Sequence, residues 1–324
     1  MSETLRVGVV GVGSMGENHA RVYSELRDVE LVGVTDLDQG QARRVAETYG
    51  TESRSLSGLL AACDGVSVAV PTAAHHGTVT SCLDAGVHVL VEKPIADSVE
   101  AGRELAARAR EAGLVLQVGH VERFNPAVEA LGSVLEGLEV IAVEAERLGP
   151  PVDRSGTDGV VLDLMIHDLD VVRSILGTEP ESIGAMGAGD GAYATARMAF
   201  PDEVIVSLTA SRITQKKVRR LTVTARECLV EVDYLTQSVR IHRNSYPEYV
   251  ADDGRSRYRH ESVVERPRVE AGEPLRRELE GFLDACRNGT EPPVTAEDGI
   301  RALELAVRID RLAAAGDRIE VRAE

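Results

Sequence analysis

The chain has 324 residues, 43 % apolar and only 3 % aromatic with no tryptophan, and it sets 53 acidic against 36 basic side chains for a net charge of −17. That length accommodates two cores of ordinary size, built mainly from Val, Leu, Ile and Ala. The acidic balance excludes a nucleic-acid surface, whose phosphates it would repel.

Three of the 36 basic residues are lysine, namely Lys93, Lys216 and Lys217. Arginine in such excess, on so acidic a chain, suggests a protein adapted to concentrated salt, with stability that falls as salt is withdrawn, the alternative being an ordinary acidic cytosolic enzyme. Cys63, Cys82, Cys228 and Cys286 are far apart and lack CxxC spacing, so neither a metal site nor a disulfide scaffold is expected. The sequon Asn288-Gly289-Thr290 has no secretion signal to make it relevant, and no apolar run approaches membrane-spanning length. A soluble cytoplasmic protein is expected.

In chain order, Leu5–Val10 is a short β-branched strand that opens into Gly11-Val12-Gly13-Ser14-Met15-Gly16 and then a helix. Glycines at this spacing between strand and helix suit a dinucleotide. Gly11 permits the tight turn, Gly13 admits a pyrophosphate to the backbone, and Gly16 lets the helix pack on the strand. Ser14 and Met15 sit at the helix N-terminus, whose free N–H groups face the anion. A second strand, 30–35, ends at Asp36, where a carboxylate would accept the adenosine ribose hydroxyls. Asp38 is nearby and no arginine comes immediately after Asp36, so a 2′-phosphate would be repelled and NAD is expected over NADP. The alternative for Asp36 is a helix cap or turn.

Helices at 41–50, 57–62, 75–85 and 100–112 alternate with strands at 65–70, 87–91 and 114–118, which predicts a parallel, doubly wound sheet. In such sheets ligands collect beyond the C-terminal strand ends. Pro71-Thr72, Glu92-Lys93-Pro94 and His120 all fall there, as do the glycine loop and Asp36. A lysine at a strand end suits proton-transfer work, because it can lose its proton once desolvated; the alternative for Lys93 is a side chain reaching out to water.

After Val118-Gly119-His120-Val121-Glu122-Arg123-Phe124-Asn125-Pro126 the pattern changes. A strand over 138–147 and a Gly/Pro/Asp-rich loop lead to a mainly apolar helix over 159–173. On it Asp163 and His167, four apart, share one face, with Asp170 three residues further. Ionisable groups there are costly to bury unless paired or functional. Strands at 192–200, 204–211, 218–224, 228–234 and 238–243 predict a large, mostly antiparallel open sheet. Residues 244–274, with Tyr246, Tyr249 and Tyr258, suggest a hairpin or loop; helices at 275–288 and 295–315 and a strand at 319–321 close the chain. Lys216-Lys217 with Arg219-Arg220 is a local basic cluster, either a solvated strand end or a contact for a nucleotide-sugar diphosphate. The expected division is an NAD-binding Rossmann domain over 1–122 and an α+β domain for substrate binding and oligomerisation over 123–324.

These motifs resemble the glucose–fructose oxidoreductase / inositol dehydrogenase / MocA (Gfo/Idh/MocA) family over nearly the whole chain. They are the glycine loop with His19-Ala20, Pro71-Thr72-Ala73-Ala74-His75, Glu92-Lys93-Pro94, and Asp163-x-x-x-His167 with Asp170. Val70-Pro71-Thr72 departs from the family's usual Thr-Pro-Asn. Residues 118–126, 213–219 and 232–237 are most similar to members acting at carbon 3 of UDP-N-acetylglucosamine or its uronate. The resemblance implies a reversible NAD-dependent oxidation of a sugar ring hydroxyl, with Lys93, Asp163 and His167 catalytic. Either His167 or Lys93 would be the base, and Asp163 would orient the substrate or fix the histidine tautomer. It implies cofactor contacts from Gly11, Gly13, Ser14, Met15, Gly16, Asp36, Pro71, Thr72, His75, Glu92 and Lys93. Substrate contacts would come from His120, Arg123, Phe124, Asn125 and Lys216. A homodimer or homotetramer through the C-terminal sheet is also implied. An inositol or free-hexose dehydrogenase is the enzymatic alternative, and a non-catalytic dinucleotide-binding regulator the alternative of another class.

Overall fold

The computed structural model describes residues 4–151, 159–244, 248–252, 255–259, 262–315 and 320–321. Two compact units divide the chain, Met1–Phe124 with Gly272–Glu304, and Asn125–Ala271 with Leu305–Glu324.

In the first unit, strands β1 (Leu5–Val10), β2 (Val29–Thr35), β3 (Gly65–Val68), β4 (His88–Glu92) and β5 (Leu116–Gly119) form a parallel sheet in the order β2-β1-β3-β4-β5. The strands are short valine-rich runs because both faces are covered: Val7, Val9, Val66, Val68, Val89 and Val91 are all at most 1 % exposed. Helices α1 (Ser14–Glu25), α2 (Gln39–Tyr49), α3 (Leu56–Leu60), α4 (His75–Asp84) and α5 (Val99–Ala112) connect them. The strand order reverses beside β1, which puts a crevice at the C-terminal ends of β1 and β3.

Helix α8 (Pro274–Asn288) returns to this unit, where Leu279, Phe282 and Leu283 join Val7, Val9 and Tyr23 in one core. Gly65 makes room for it, since a Cβ there would sit 3.4 Å from the Phe282 ring. The first part of α9 (Ala296–Ala315) packs on β5 through Gly299, where a Cβ would come within 2.6 Å of Val118.

The second unit opens with α6 (Pro126–Leu135), and α7 (Ile166–Leu176) lies after the first strand of its sheet. That sheet contains β6 (Val140–Leu148), β7 (Ser182–Ala188), β8 (Tyr193–Ala199), β9 (Ile205–Ser211), β10 (Val218–Ala225), β11 (Leu229–Asp233), β12 (Ser238–Asn244), β15 (Ser262–Glu265) and β16 (Glu320–Val321). Its order is β15-β12-β11-β10-β6-β9-β8-β7-β16, and every ladder is antiparallel except β6 with β9. A hairpin of β13 (Glu248–Asp252) and β14 (Arg255–Arg259) stands apart from it. The fold class expected from the sequence is therefore the one found. Tyr246, Ile319 and residues 152–158 of the loop after β6 lie outside the described residues.

Three local features differ from the expectation. Strand β7, Ser-Ile-Gly-Ala-Met-Gly-Ala, is poor in β-branched residues and is held by pairing with β8 along its whole length. Helix α6 begins at Pro126 under an Asn125 cap, in a stretch whose turn residues suggest only an interruption. The apolar helix begins as a π-helical turn, Val161–Met165, before α7 proper. Such turns recur at functional sites. Among the described residues no helix is long and apolar enough to cross a membrane.

Candidate active site

In the first unit the glycine loop has the shape a dinucleotide needs. Gly11 adopts φ +84°, which only glycine takes without strain, and its N–H donates to the Thr35 carbonyl (2.8 Å). Gly16 lies against Gly11, and a Cβ there would fall 1.8 Å from the Gly11 carbonyl oxygen. Gly13 is different: a Cβ there would meet nothing within 4 Å. The backbone thus leaves an open cradle in front of the α1 N-terminus, where Ser14 and Met15 are exposed. The loop fits a pyrophosphate.

Asp36 is not the cap of α2, which is Asp38, accepting from Gly40 N (2.8 Å) and Gln41 N (3.1 Å). The Asp36 carboxylate instead accepts from Val12 N (2.7 Å) and Asp38 N (2.8 Å), tying the glycine loop to the end of β2. Gln41 Nε2 adds a bond to the Val12 carbonyl (2.9 Å). Leu37, beside Asp36, is fully exposed.

Lys93 follows the C-terminal residue of β4. Its neighbour Glu92 turns back into the unit and accepts from His19 Nε2 (2.9 Å), while His19 Nδ1 meets Ser67 Oγ (2.9 Å) and Ser67 Oγ meets Tyr23 OH (2.8 Å). Burial works to raise the Glu92 carboxyl, but the His19 bond and the nearby Lys93 and His75 outweigh it, so Glu92 titrates below the ordinary range. Burial pushes the Tyr23 phenol upward. His19, Glu92 and Glu278 also place ligand atoms within 4.8 Å of one another. Both His19 ring nitrogens are already hydrogen-bonded, so the group reads as a hydrogen-bonded cluster.

Pro71 leads into a short turn, Thr72–Ala74, at the head of α4. His75 is 1 % exposed, with Nδ1 2.8 Å from the Pro94 carbonyl and Nε2 2.9 Å from the Val70 carbonyl. It therefore bridges the loops after β3 and β4. Burial lowers its pKa, and the two carbonyls act in the opposite sense. His120 is buried at the end of β5, Arg123 reaches Asp298 (3.5 Å), and Phe124 packs near Gly281.

In the second unit Asp163 lies on the π-turn, and Arg212, one residue beyond β9, approaches it with Nη2 3.4 Å from Oδ2. His167 is half-buried on the first turn of α7. The next residue, Asp168, is buried and forms a bidentate pair with Arg147 of β6 (2.8 Å at both oxygens), whose guanidinium lies 5.3 Å from the Tyr234 ring centroid. Asn125 accepts from Ala127 N (3.1 Å) as the cap of α6 and donates to the Tyr234 carbonyl (3.1 Å). Lys216 is exposed between β9 and β10. Sequence reasoning missed Gln41, Arg147 and Arg212, whose partners are remote in the chain. Arginine inside a run of strand alternation was the available signal for Arg147.

The chain matches the family described as "Oxidoreductase family, NAD-binding Rossmann fold" over residues 5–120 and its "C-terminal alpha/beta domain" over residues 150–321. It is 34 % identical over 312 residues to the UDP-N-acetylglucosamine 3-dehydrogenase of Acidithiobacillus ferrooxidans, covering 94 % of this chain and 96 % of that one. A crystal structure of that enzyme aligns with a TM-score of 0.88 at 31 % identity, over 96 % of this chain and 98 % of the other. Inositol 2-dehydrogenase of Rhizobium meliloti is 29 % identical over 330 residues, covering 94 % and 95 %.

Proposed function

This chain belongs to the Gfo/Idh/MocA oxidoreductase family and is an NAD-dependent dehydrogenase, and on that footing we propose that it oxidises a ring hydroxyl of a nucleotide sugar, carbon 3 of UDP-N-acetylglucosamine or its uronate. The observation that carries the reading is the presence of Lys93 at the end of β4 together with Asp163 and His167 at the head of α7, in a chain similar from end to end to an enzyme of that name.

The glycine loop and Asp36 would hold NAD, which would supply the hydride acceptor for the carbinol carbon. His167, as the neutral imidazole, takes the hydroxyl proton. Lys93 donates a hydrogen bond to the same oxygen and stabilises the alkoxide character that grows as the C–H bond breaks. Asp163 orients the substrate through a neighbouring hydroxyl. Asp36 receives the adenosine ribose, and the glycine loop with Ser14 and Met15 receives the pyrophosphate. Thr72, His75 and Glu92 shape the nicotinamide end, and His120, Arg123, Phe124 and Asn125 border the sugar. The open face of the nine-stranded sheet carries Met186 and Ile205, 65 % and 55 % exposed, and we assign it to contact with further copies of the chain.

The test is to incubate protein, NAD and a panel of sugars while following the absorbance of the reduced nicotinamide. Turnover of UDP-N-acetylglucosamine or its uronate, inhibited by UDP, is expected. Oxidation of inositols or free hexoses alone, insensitive to UDP, would replace this reading with the inositol-dehydrogenase one. Cofactor binding with no turnover of any sugar would favour a regulatory protein.

A further inference from the structure

We infer that the turn joining β9 to β10 is an anion-binding element that holds the diphosphate of the substrate, an inference that rests on the nucleotide-sugar reading above.

The first observation is electrostatic. A diphosphate approaching a chain of net charge −17 is repelled unless cations are concentrated where it lands. Residues 212–220 hold Arg212, Lys216, Lys217, Arg219 and Arg220 and no acid, and they contain two of the three lysines in the chain. Several exposed arginines elsewhere are neutralised by carboxylates, as Arg6 is by Asp64 (2.6 Å), Arg44 by Glu17 (2.7 Å) and Arg226 by Glu139 (2.6 Å). Arg220 likewise stands in register opposite Asp233 and Glu146. Lys216 and Lys217 are exposed and have no carboxylate partner among the described residues. Two adjacent lysines without a carboxylate, in a run of five cations and no acid, are poised for an external anion.

The second observation is placement. Strands β9 and β10 flank β6, so the turn crosses the end of β6. It is stiffened there: Ser211 Oγ accepts from Ile213 N (3.2 Å) and bonds Thr214 Oγ1 (2.7 Å), Gly149 N donates to the Ser211 carbonyl (2.9 Å), and Arg219 Nη1 donates to the Leu148 and Val218 carbonyls (2.5 and 2.8 Å). Arg212, at the start of the turn, reaches Asp163 on the π-turn (3.4 Å). The lysines therefore sit on a braced loop whose first residue touches the carboxylate assigned to the sugar. A diphosphate is attached to the same sugar ring two carbons from carbon 3, so one substrate can engage both. Lysine suits this task as a mobile point charge for phosphate.

The test compares the full-length NAD-loaded protein with the double variant Lys216→Ala/Lys217→Ala and with Lys216→Arg/Lys217→Arg. The readouts are the Kd of UDP by calorimetry and the KM and kcat for UDP-N-acetylglucosamine at two salt concentrations. The alanine variant is expected to weaken UDP about tenfold, to raise KM in proportion with little change in kcat, and to flatten the salt dependence; the arginine variant is expected to restore both constants. UDP affinity within twofold of wild type in the alanine variant overturns the inference while leaving nucleotide-sugar turnover standing. Absence of UDP binding to the wild type overturns it together with the reading on which it rests. UDP binding lost in the alanine variant, with no turnover of the nucleotide sugar, supports the anion site and moves the failure to the choice of sugar.

Discussion

His19 Nε2 lies 2.9 Å from Glu92 Oε1, and this bond joins the helix behind the glycine loop to the strand end that presents Lys93. With the proton on Nε2, the donors run one way: Tyr23 to Ser67, Ser67 to His19, His19 to Glu92. Replacing His19 by Ala leaves a mostly buried carboxylate without its donor, at a cost of about 1–3 kcal/mol. The Glu92 carboxyl titrates lower in the folded state than in the unfolded chain, so its contribution is fully present above the unfolded value. It is lost as pH falls through the depressed folded value. Urea unfolding from pH 7 down to pH 3 is expected to show an acid-side loss of stability that shrinks in Glu92→Gln.

Gly13 and Gly16 separate folding from cofactor binding. Gly16→Ala drives a Cβ into the Gly11 carbonyl, so α1 must move and the unliganded melting temperature falls. Gly13→Ala points into open space. It is expected to melt like the wild type without ligand and to lose most of the stabilisation that NAD confers, which a thermal-shift titration reads directly.

The proposed role of Asp36 at the adenosine ribose predicts a switch of cofactor preference. Asp36→Ser with Leu37→Arg removes the carboxylate that repels a 2′-phosphate and adds a cation on an exposed position. The ratio of kcat/KM for NAD over NADP is expected to fall at least about tenfold, roughly the 1.4 kcal/mol equivalent of removing a like-charge contact and adding an attractive one. The loss of bonds to Val12 N and Asp38 N also weakens NAD itself.

The buried pair of Arg147 and Asp168 stands directly behind His167 in the chain. Arg147→Met alone leaves a buried carboxylate uncompensated and is expected to cost about 3–5 kcal/mol, whereas Arg147→Met with Asp168→Leu recovers most of that stability. Chemical denaturation of the single and double variants measures the difference.

The parallel sheet was legible because its strands are valine runs broken by glycine, proline or charge, and each break marks a ligand-side end. Gly11, Asp36 and Lys93 stood out for that reason. Helix α8 was legible as a helix from Leu275, Leu279, Phe282 and Leu283, yet nothing in that spacing reports that it packs with Tyr23. Strand β7 was obscured by its glycines and alanines, since its order comes from β8 across the ladder. His75 looked like a ligand contact from its motif, and its two carbonyl partners, Val70 and Pro94, are fixed only by the fold. The bonds of Arg147 and Arg212 depend on strand neighbours remote in sequence.

The proposal that Lys93 and His167 act on one hydroxyl is tested most directly by single-turnover formation of reduced nicotinamide from UDP-N-acetylglucosamine, followed against pH. Lys93→Met and His167→Asn are each expected to slow hydride transfer at least about a hundredfold, with the limb of the pH profile that reports the base missing from His167→Asn and kept in Lys93→Met. Near-normal transfer in both variants would contradict it.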